Sequence, residues 1–162
     1  MELQRLSEVC IPFFVMETLF TKRGVTMSGP SLEREHSHRS IHNGAFREAR
    51  SLTDLLRRLH GERRTEEVHE VADALIEHWE KRILAHAQAE EEGLFPKKVE
   101  RNPELAPVVH MMKRDHDLMR QLLDEIKVKW KQSGVNYEVF ARFEALLLIN
   151  RIHSRQEERD LL

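Results

Sequence analysis

Apolar residues recur every three or four positions through four stretches of the chain, and short runs rich in glycine, proline and asparagine separate the stretches. Ala45, Ala49, Leu52 and Leu56 mark the first stripe, and Ala72, Ile76, Trp79 and Ile83 the second. The third runs through Met112, Met119, Leu123, Ile126 and Trp130, the fourth through Val139, Phe143, Leu146 and Leu147. That period puts one apolar face on each of four amphipathic helices. Gly29-Pro30-Ser31 opens the first segment, which runs to His60 and stops at Gly61. Thr65, followed by Glu66 and Glu67, is an expected N-cap with acids in the first turn. The second segment is expected to end near Glu92, where Gly93 and Pro96 follow. Asn102-Pro103-Glu104 begins the third, with regular helix expected from about Pro107. Gly134 ends it, and Asn136 caps the fourth, which continues to the last residues. The pattern predicts an all-α fold, an antiparallel up-down-up-down four-helix bundle over residues 29–162.

Residues 1–28 precede the bundle as an apolar N-terminal extension, LQRLSEVCIPFFVMETLF with Phe13, Phe14, Leu19 and Phe20. It is expected to cover the bundle, to pair two copies as a homodimer, or to dock on a partner protein. Composition narrows the classes further. Charged residues make up 33% of the chain with both signs mixed, and the net charge is −2. That balance excludes the basic footprint of a nucleic-acid binder and gives no pull toward acidic lipid. Cys10 is the single cysteine, which rules out a disulfide framework, a zinc ribbon and a Cys-x-x-Cys pair. Glu2 stands where a signal peptide would carry basic residues, and IPFFV is too short to span a membrane. A cytoplasmic setting is the expectation.

The chain has ten histidines, far above average usage, and several are placed rather than scattered. HAQAEEEGLFP (His86–Pro96) and HSRQEERDLL (His153–Leu162) share the pattern H-x-x-x-E-E-x-x-L-[F/L]. Residues four apart lie on one helix face, so His86 pairs with Glu90 and His153 with Glu157. Both pairs continue the apolar stripes and therefore point inward. His116 is in phase with Met112, Met119 and Leu123, and His38 and His42 with Ala45, Ala49 and Leu52. His36 and His110 fall off their stripes, and His60 and His69 are expected at the surface. Glu91 and Glu92 are expected to meet solvent.

Depth adds the strongest constraint. In an up-down-up-down bundle the starts of the first and third helices share an end with the finishes of the second and fourth. His38, His86, His116, His153, Glu90 and Glu157 therefore converge at one level. The stop expected at Gly93 and Pro96 would set that level near a mouth where a small molecule could enter. Imidazoles and carboxylates without thiolate suit iron, manganese or zinc. So many ligands suit two metals about 3–4 Å apart, bridged by Glu90 and Glu157 with an oxide or hydroxide.

These motifs resemble the hemerythrin-like (HHE cation-binding) family. HAQAEEEGLFP and HSRQEERDLL resemble its second- and fourth-helix motifs, and RDHDLMRQLLDEI (Arg114–Ile126) its third. REHSHRSIH (Arg34–His42) fills the place of the first, so the resemblance covers about residues 31–162. It implies a non-haem site of two iron ions that meets a small diatomic ligand (O2 or NO) or peroxide. The ligands it implies are His86, Glu90, His116, His153 and Glu157, with one or two histidines of the first helix. The acid-histidine pair Glu35-His36 suggests His36, whereas the helical face and the match of Asp115–Met119 to Ser37–Ile41 favour His38, with His42 as a fifth histidine.

The family's oxygen carriers pair two histidines four apart on the third helix, where this chain has Arg120 after His116, and they place an aspartate five after the last histidine. Sensing, scavenging or iron-centre protection is therefore expected ahead of oxygen carriage. Iron-centre repair proteins resemble this pattern better, but they carry an N-terminal cysteine-containing domain that Cys10 alone does not recreate. Two alternatives stay open: a di-metal enzyme with peroxidase- or catalase-like activity, for which Arg120 and Tyr137 are the only proton-transfer candidates, and a metal-stabilised interaction module.

Overall fold

The computed structural model describes residues 35–162, which are helical with no strand among them. The apolar extension, Cys10, Gly29-Pro30-Ser31 and the boundary near residue 28 lie outside the described residues. Helix α1 is Glu35–Gly61, α3 is Ala106–Ser133 and α4 is Tyr137–Asp160. Helix α2 is one rod of changing pitch: α-helical over Thr65–His78, a π turn over Trp79–Leu84, α-helical over Ala85–Ala89, a second π turn over Glu90–Leu94, and α-helical again over Phe95–Arg101. A 3₁₀ turn, Pro103–Leu105, leads into α3. Helix α1 packs on α2 and α4, α3 packs on α4 and on α2, and the four close into the expected bundle. No described helix is long and apolar enough to cross a membrane.

Most of the expected punctuation is present. The Asn136 side chain accepts a hydrogen bond from the Val139 N–H at 3.1 Å and caps α4. Gly134, at φ 67°, ends α3 in a conformation a side chain would resist. Thr65 is not the cap of α2. The first helical hydrogen bond runs from the Val68 N–H to the Arg64 carbonyl, so Arg64 holds the cap position, without a side-chain cap bond. The tight turn after Gly61, with Arg63 at φ 57°, brings the chain into the helix one residue early.

Helix α2 also runs past its expected stop, through Gly93 and Pro96 to Arg101. Its buried positions Leu75, Trp79, Ile83, His86, Glu90 and Leu94 recur mostly at four-residue steps. On a helix of 3.6 residues per turn such steps walk around the axis. The wide turns take up that drift: Ala85 N–H reaches the Glu80 carbonyl, and Phe95 N–H the Glu90 carbonyl. The change of hydrogen-bond register after Leu94 already interrupts the ladder, and Pro96, which has no N–H, sits in that interruption.

The continuation has a packing consequence. Leu94 and Phe95 join Val109, Met112 and Leu161 in a small apolar cluster, separate from the main core of Leu56, Leu75, Trp79, Leu123, Phe143 and their neighbours. On α2, α3 and α4 the polar layer lies between the two clusters in sequence. The end expected as an open mouth is therefore plugged by apolar side chains, Phe95 fully buried among them.

Candidate metal centre

Each helix sends histidine or glutamate into that layer. His38 and His42 come from α1, one turn apart; His86 and Glu90 from α2; His116 from α3; His153 and Glu157 from α4. All seven residues singled out in the sequence are buried, none more than 8% exposed, and they meet in one cluster. His36 and His110 stay exposed, as do His60 and His69, which lie against Phe140 and Trp130.

The ring nitrogens converge. His42 Nε2 lies 2.9 Å from His86 Nε2, and His116 Nε2 lies 3.0 Å from His153 Nε2. Glu90 Oε1 lies 2.6 Å from His86 Nε2, 2.9 Å from His38 Nε2 and 3.4 Å from His42 Nε2, while its Oε2 faces His116 Nε2 at 3.4 Å. Glu157 Oε2 lies 3.4 Å from His38 Nε2, 3.5 Å from His42 Nε2 and 3.8 Å from His153 Nε2. Ligand atoms at bonds of about 2.1 Å and right angles to one cation stand about 3 Å apart, which is the spacing of these nitrogen pairs. Two overlapping sets could each hold a cation: His38, His42, His86 and Glu90, and Glu90, His116 and His153. Glu90 Oε2 and Glu157 Oε1 are buried without a hydrogen-bond partner among the described residues, as anions left for a cation would be.

The electrostatics point the same way. Burial works against charge on His38, but the Glu157 and Glu90 carboxylates override it and push its pKa up to about 10. Burial would likewise raise Glu90, yet the surrounding imidazoles of His116, His38, His42 and His86 hold its carboxyl well below the usual carboxylate range. The buried carboxylates thus demand positive charge at the centre of the cluster.

An outer ring of acids stands behind the histidines, and the sequence reading missed it. His116 Nδ1 donates to Glu91 Oε1 at 2.7 Å, and Arg120 Nη2 donates to the same oxygen at 2.8 Å. Glu91 is therefore half-buried and engaged rather than solvated, contrary to expectation, because the π turn that begins at Glu90 turns it toward α3. Glu92 is exposed, as expected. Glu158 Oε1 lies 3.6 Å from His42 Nδ1, and Asp115 Oδ2 lies 3.7 Å from His153 Nδ1. Of Glu91, Glu158 and Asp115 only Glu91 is within hydrogen-bond distance, and its carboxylate on His116 Nδ1 leaves Nε2 with its lone pair, the tautomer a cation needs; His42 Nδ1 and His153 Nδ1 have no hydrogen-bond partner among the described residues. The signal was available: each of these acids is the chain neighbour of a residue in the inner cluster. His78, also unremarked in the sequence, is buried and donates to the Ala45 carbonyl at 2.9 Å; burial lowers its pKa and keeps it neutral.

A cavity of about 20 Å³ opens within the cluster, lined by His42, His86, Glu90, His116 and His153, with Ile41, Ala45, Ile83, Ala87 and Met119 on its apolar side and Asn150 beside them. That is room for one water-sized or diatomic guest. Exposed Arg82 marks its solvent side.

No curated protein and no solved structure matched the chain. The sequence model described as "Hemerythrin HHE cation binding domain" matches residues 35–162, the whole of the bundle described above. With four helices converging a buried His/Glu cluster in that span, the chain belongs to the hemerythrin HHE cation-binding domain family.

Proposed function

We propose that this protein binds two non-haem iron ions in the His/Glu layer and through them binds or responds to O2, NO or peroxide, in sensing, scavenging or iron-centre protection. The observation that carries the reading is the Glu90 carboxylate. One of its oxygens turns to the imidazoles of α1 and α2, the other to His116 of α3, so a single side chain serves both halves of the cluster. In this reading His42, His86 and Glu90 hold one ion, and His116, His153 and Glu157 the other. His38, within reach of both carboxylates, completes the set. Five imidazoles and two carboxylates with no thiolate favour iron, with manganese or zinc as the alternatives.

Bound iron supplies Lewis acidity and one-electron exchange with a small ligand. The rest of the work belongs to the chain. Glu91 holds the His116 tautomer, the apolar plug keeps water from the plugged end, and the cavity limits the guest by size. At about 20 Å³ it has room for about one water-sized guest. The test is to purify the full chain from iron-supplemented cells and measure metal content and near-ultraviolet and visible absorption. About two iron ions per chain are expected, with both signals lost in a Glu90→Ala/Glu157→Ala variant. Iron well below one per chain after reconstitution of the apo-protein would overturn the reading.

A further inference from the structure

Glu91 Oε1 takes two hydrogen bonds from α3, and the donors stand one turn apart: His116 Nδ1 at 2.7 Å and Arg120 Nη2 at 2.8 Å. Residues four apart share a helix face, so one carboxylate oxygen of α2 is gripped from two successive turns of its neighbour. The other arm of the guanidinium is fixed as well, because Arg120 Nη1 donates to Asp117 Oδ1 at 2.9 Å. Asp117, Arg120, Glu91 and His116 thus form one chain of contacts from an exposed acid to a buried imidazole.

An arginine on a surface carboxylate usually stabilises a fold by less than about 1 kcal/mol. Arg120 differs in what its partner does. Of the three acids behind the histidines, the one that an arginine holds at hydrogen-bond distance is the one that reaches its imidazole. Glu158 stays 3.6 Å from His42 Nδ1, and the arginine beside it, Arg39, is 3.4 Å away. Asp115 stays 3.7 Å from His153 Nδ1. Glu91 is a long, part-exposed side chain, so water competes for its carboxylate and its own torsions carry it away from His116. A second donor on the same oxygen removes that freedom.

We propose that Arg120 is a positioning residue of the metal centre: by holding the Glu91 carboxylate on His116 Nδ1, it keeps His116 Nε2 turned to the cation and sets how tightly that ion is retained. The inference rests on the metal reading above, since it takes His116 as a ligand through Nε2. It gives the guanidinium no contact with a cation, because both of its bonded arms end on carboxylates. Lysine at this position would keep the charge and could donate to Glu91, but it lacks the planar fork that spans Glu91 and Asp117 together.

The experiment loads the full chain with Zn2+, a diamagnetic probe for the same donors. It measures metal content, zinc release to a chelator, and the His116 Nδ1–H resonance by proton NMR. Arg120→Met is expected to hold as much zinc as wild type and to release the ion held with His116 about tenfold faster, the low end for loss of support behind a ligating imidazole. Its Nδ1–H signal, downfield and slow to exchange in wild type, is expected to be lost to solvent exchange, and Arg120→Lys to recover part of both properties. In a Glu91→Leu background the same Arg120→Met change should add less than about twofold, because Arg120 acts through Glu91. Equal release in Arg120→Met and wild type, an unchanged Nδ1–H signal, or absence of that signal from wild type overturns the role of Arg120 and leaves the metal reading standing. A tenfold effect that persists without Glu91 does the same. A wild type that takes up neither zinc nor iron sinks the metal reading, and this inference with it. If apo Arg120→Met does not fold, judged by circular dichroism, Arg120→Ala, the residue most compatible with a helix, is measured in its place. Failure of both to fold makes Arg120 a residue of the fold and overturns the inference.

Discussion

The two copies of H-x-x-x-E-E sit at the same level of the bundle, yet they reach differently. On α2, His86 Nε2 and Glu90 Oε1 are 2.6 Å apart, and Glu91 takes a 2.7 Å hydrogen bond from His116. On α4, His153 Nε2 and Glu157 Oε2 are 3.8 Å apart, and Glu158 comes no closer than 3.6 Å to His42. The spacing in sequence is identical; the backbone beneath it is not. Helix α2 widens into a π turn at Glu90, whereas α4 holds regular pitch from Tyr137 to Asp160. The outer acids are anchored differently too. Glu91 is tied to Arg120 at 2.8 Å, while Glu158 meets the half-exposed Arg39 at 3.4 Å. A motif therefore specifies which face a side chain shares, and helix pitch specifies how far it extends.

The largest effect expected from this asymmetry is on metal content. Glu90 touches histidines of three helices through both oxygens, so Glu90→Ala should empty the centre, whereas Glu157→Ala should leave a partly loaded protein. Elemental analysis of the two purified variants decides it; equal losses would mean that the halves are equivalent after all.

Next come the apolar ends of the two motifs. Phe95 is fully buried and stacks on His116, with ring centroids 5.8 Å apart and planes at 10°, while Leu161, an aliphatic side chain that can form no ring stack, packs in the same cluster. Phe95→Ala should cost about 3–5 kcal/mol in urea unfolding of the apo-protein and should also weaken metal retention. Leu161→Ala should lower stability alone. Metal loss of similar size in both variants would remove any special role for the ring stack.

A smaller difference is expected between the second acids. Glu91→Leu should weaken metal affinity by about 10–100-fold, as loss of a carboxylate behind a ligating imidazole typically does. Glu158→Leu should do less, and Glu91→Gln, which keeps an acceptor for His116, should recover most of the affinity. Chelator competition gives the ratio, and an equal response at Glu91 and Glu158 would contradict the distances.

The smallest effect concerns pH. The folded apo-protein holds the His38 proton up to about pH 10, well above the ordinary imidazole value of 6.5. Its contribution to apo stability is present in full below the unfolded value and is lost as pH rises through the folded one. Apo stability should therefore fall between about pH 7 and pH 10. Cations that replace that proton should release it on loading at pH 8, visible as a buffer-dependent heat in titration calorimetry. Heats independent of the buffer would show that His38 is already deprotonated.

Which parts of this could be read in advance follows from the range of each interaction. The stripes through Leu56, Trp79, Leu123 and Phe143, the Asn136 cap and the Gly134 stop depend on residues within a turn or two, and all are present. The convergence of six of the seven inner residues was also legible, because phase and depth follow from periodicity and connection lengths; His42 was left open as a fifth histidine. The end of α2 was not legible. Gly93 and Pro96 are local stop signals, but Leu94 and Phe95 gain burial against Val109, Met112 and Leu161, contacts made only after α3 and α4 are in place.

By itself, then, the sequence determined four amphipathic helices, their order, and the set of histidines and glutamates that share one level inside them. Only the tertiary structure decided that α2 continues past proline, that its pitch widens at Glu90, and that Glu91 faces His116 rather than water. The physical reason is that phase is a property of one helix, set by 3.6 residues per turn. Reach, partner and closure are properties of neighbouring helices, set by which side chains they bury together.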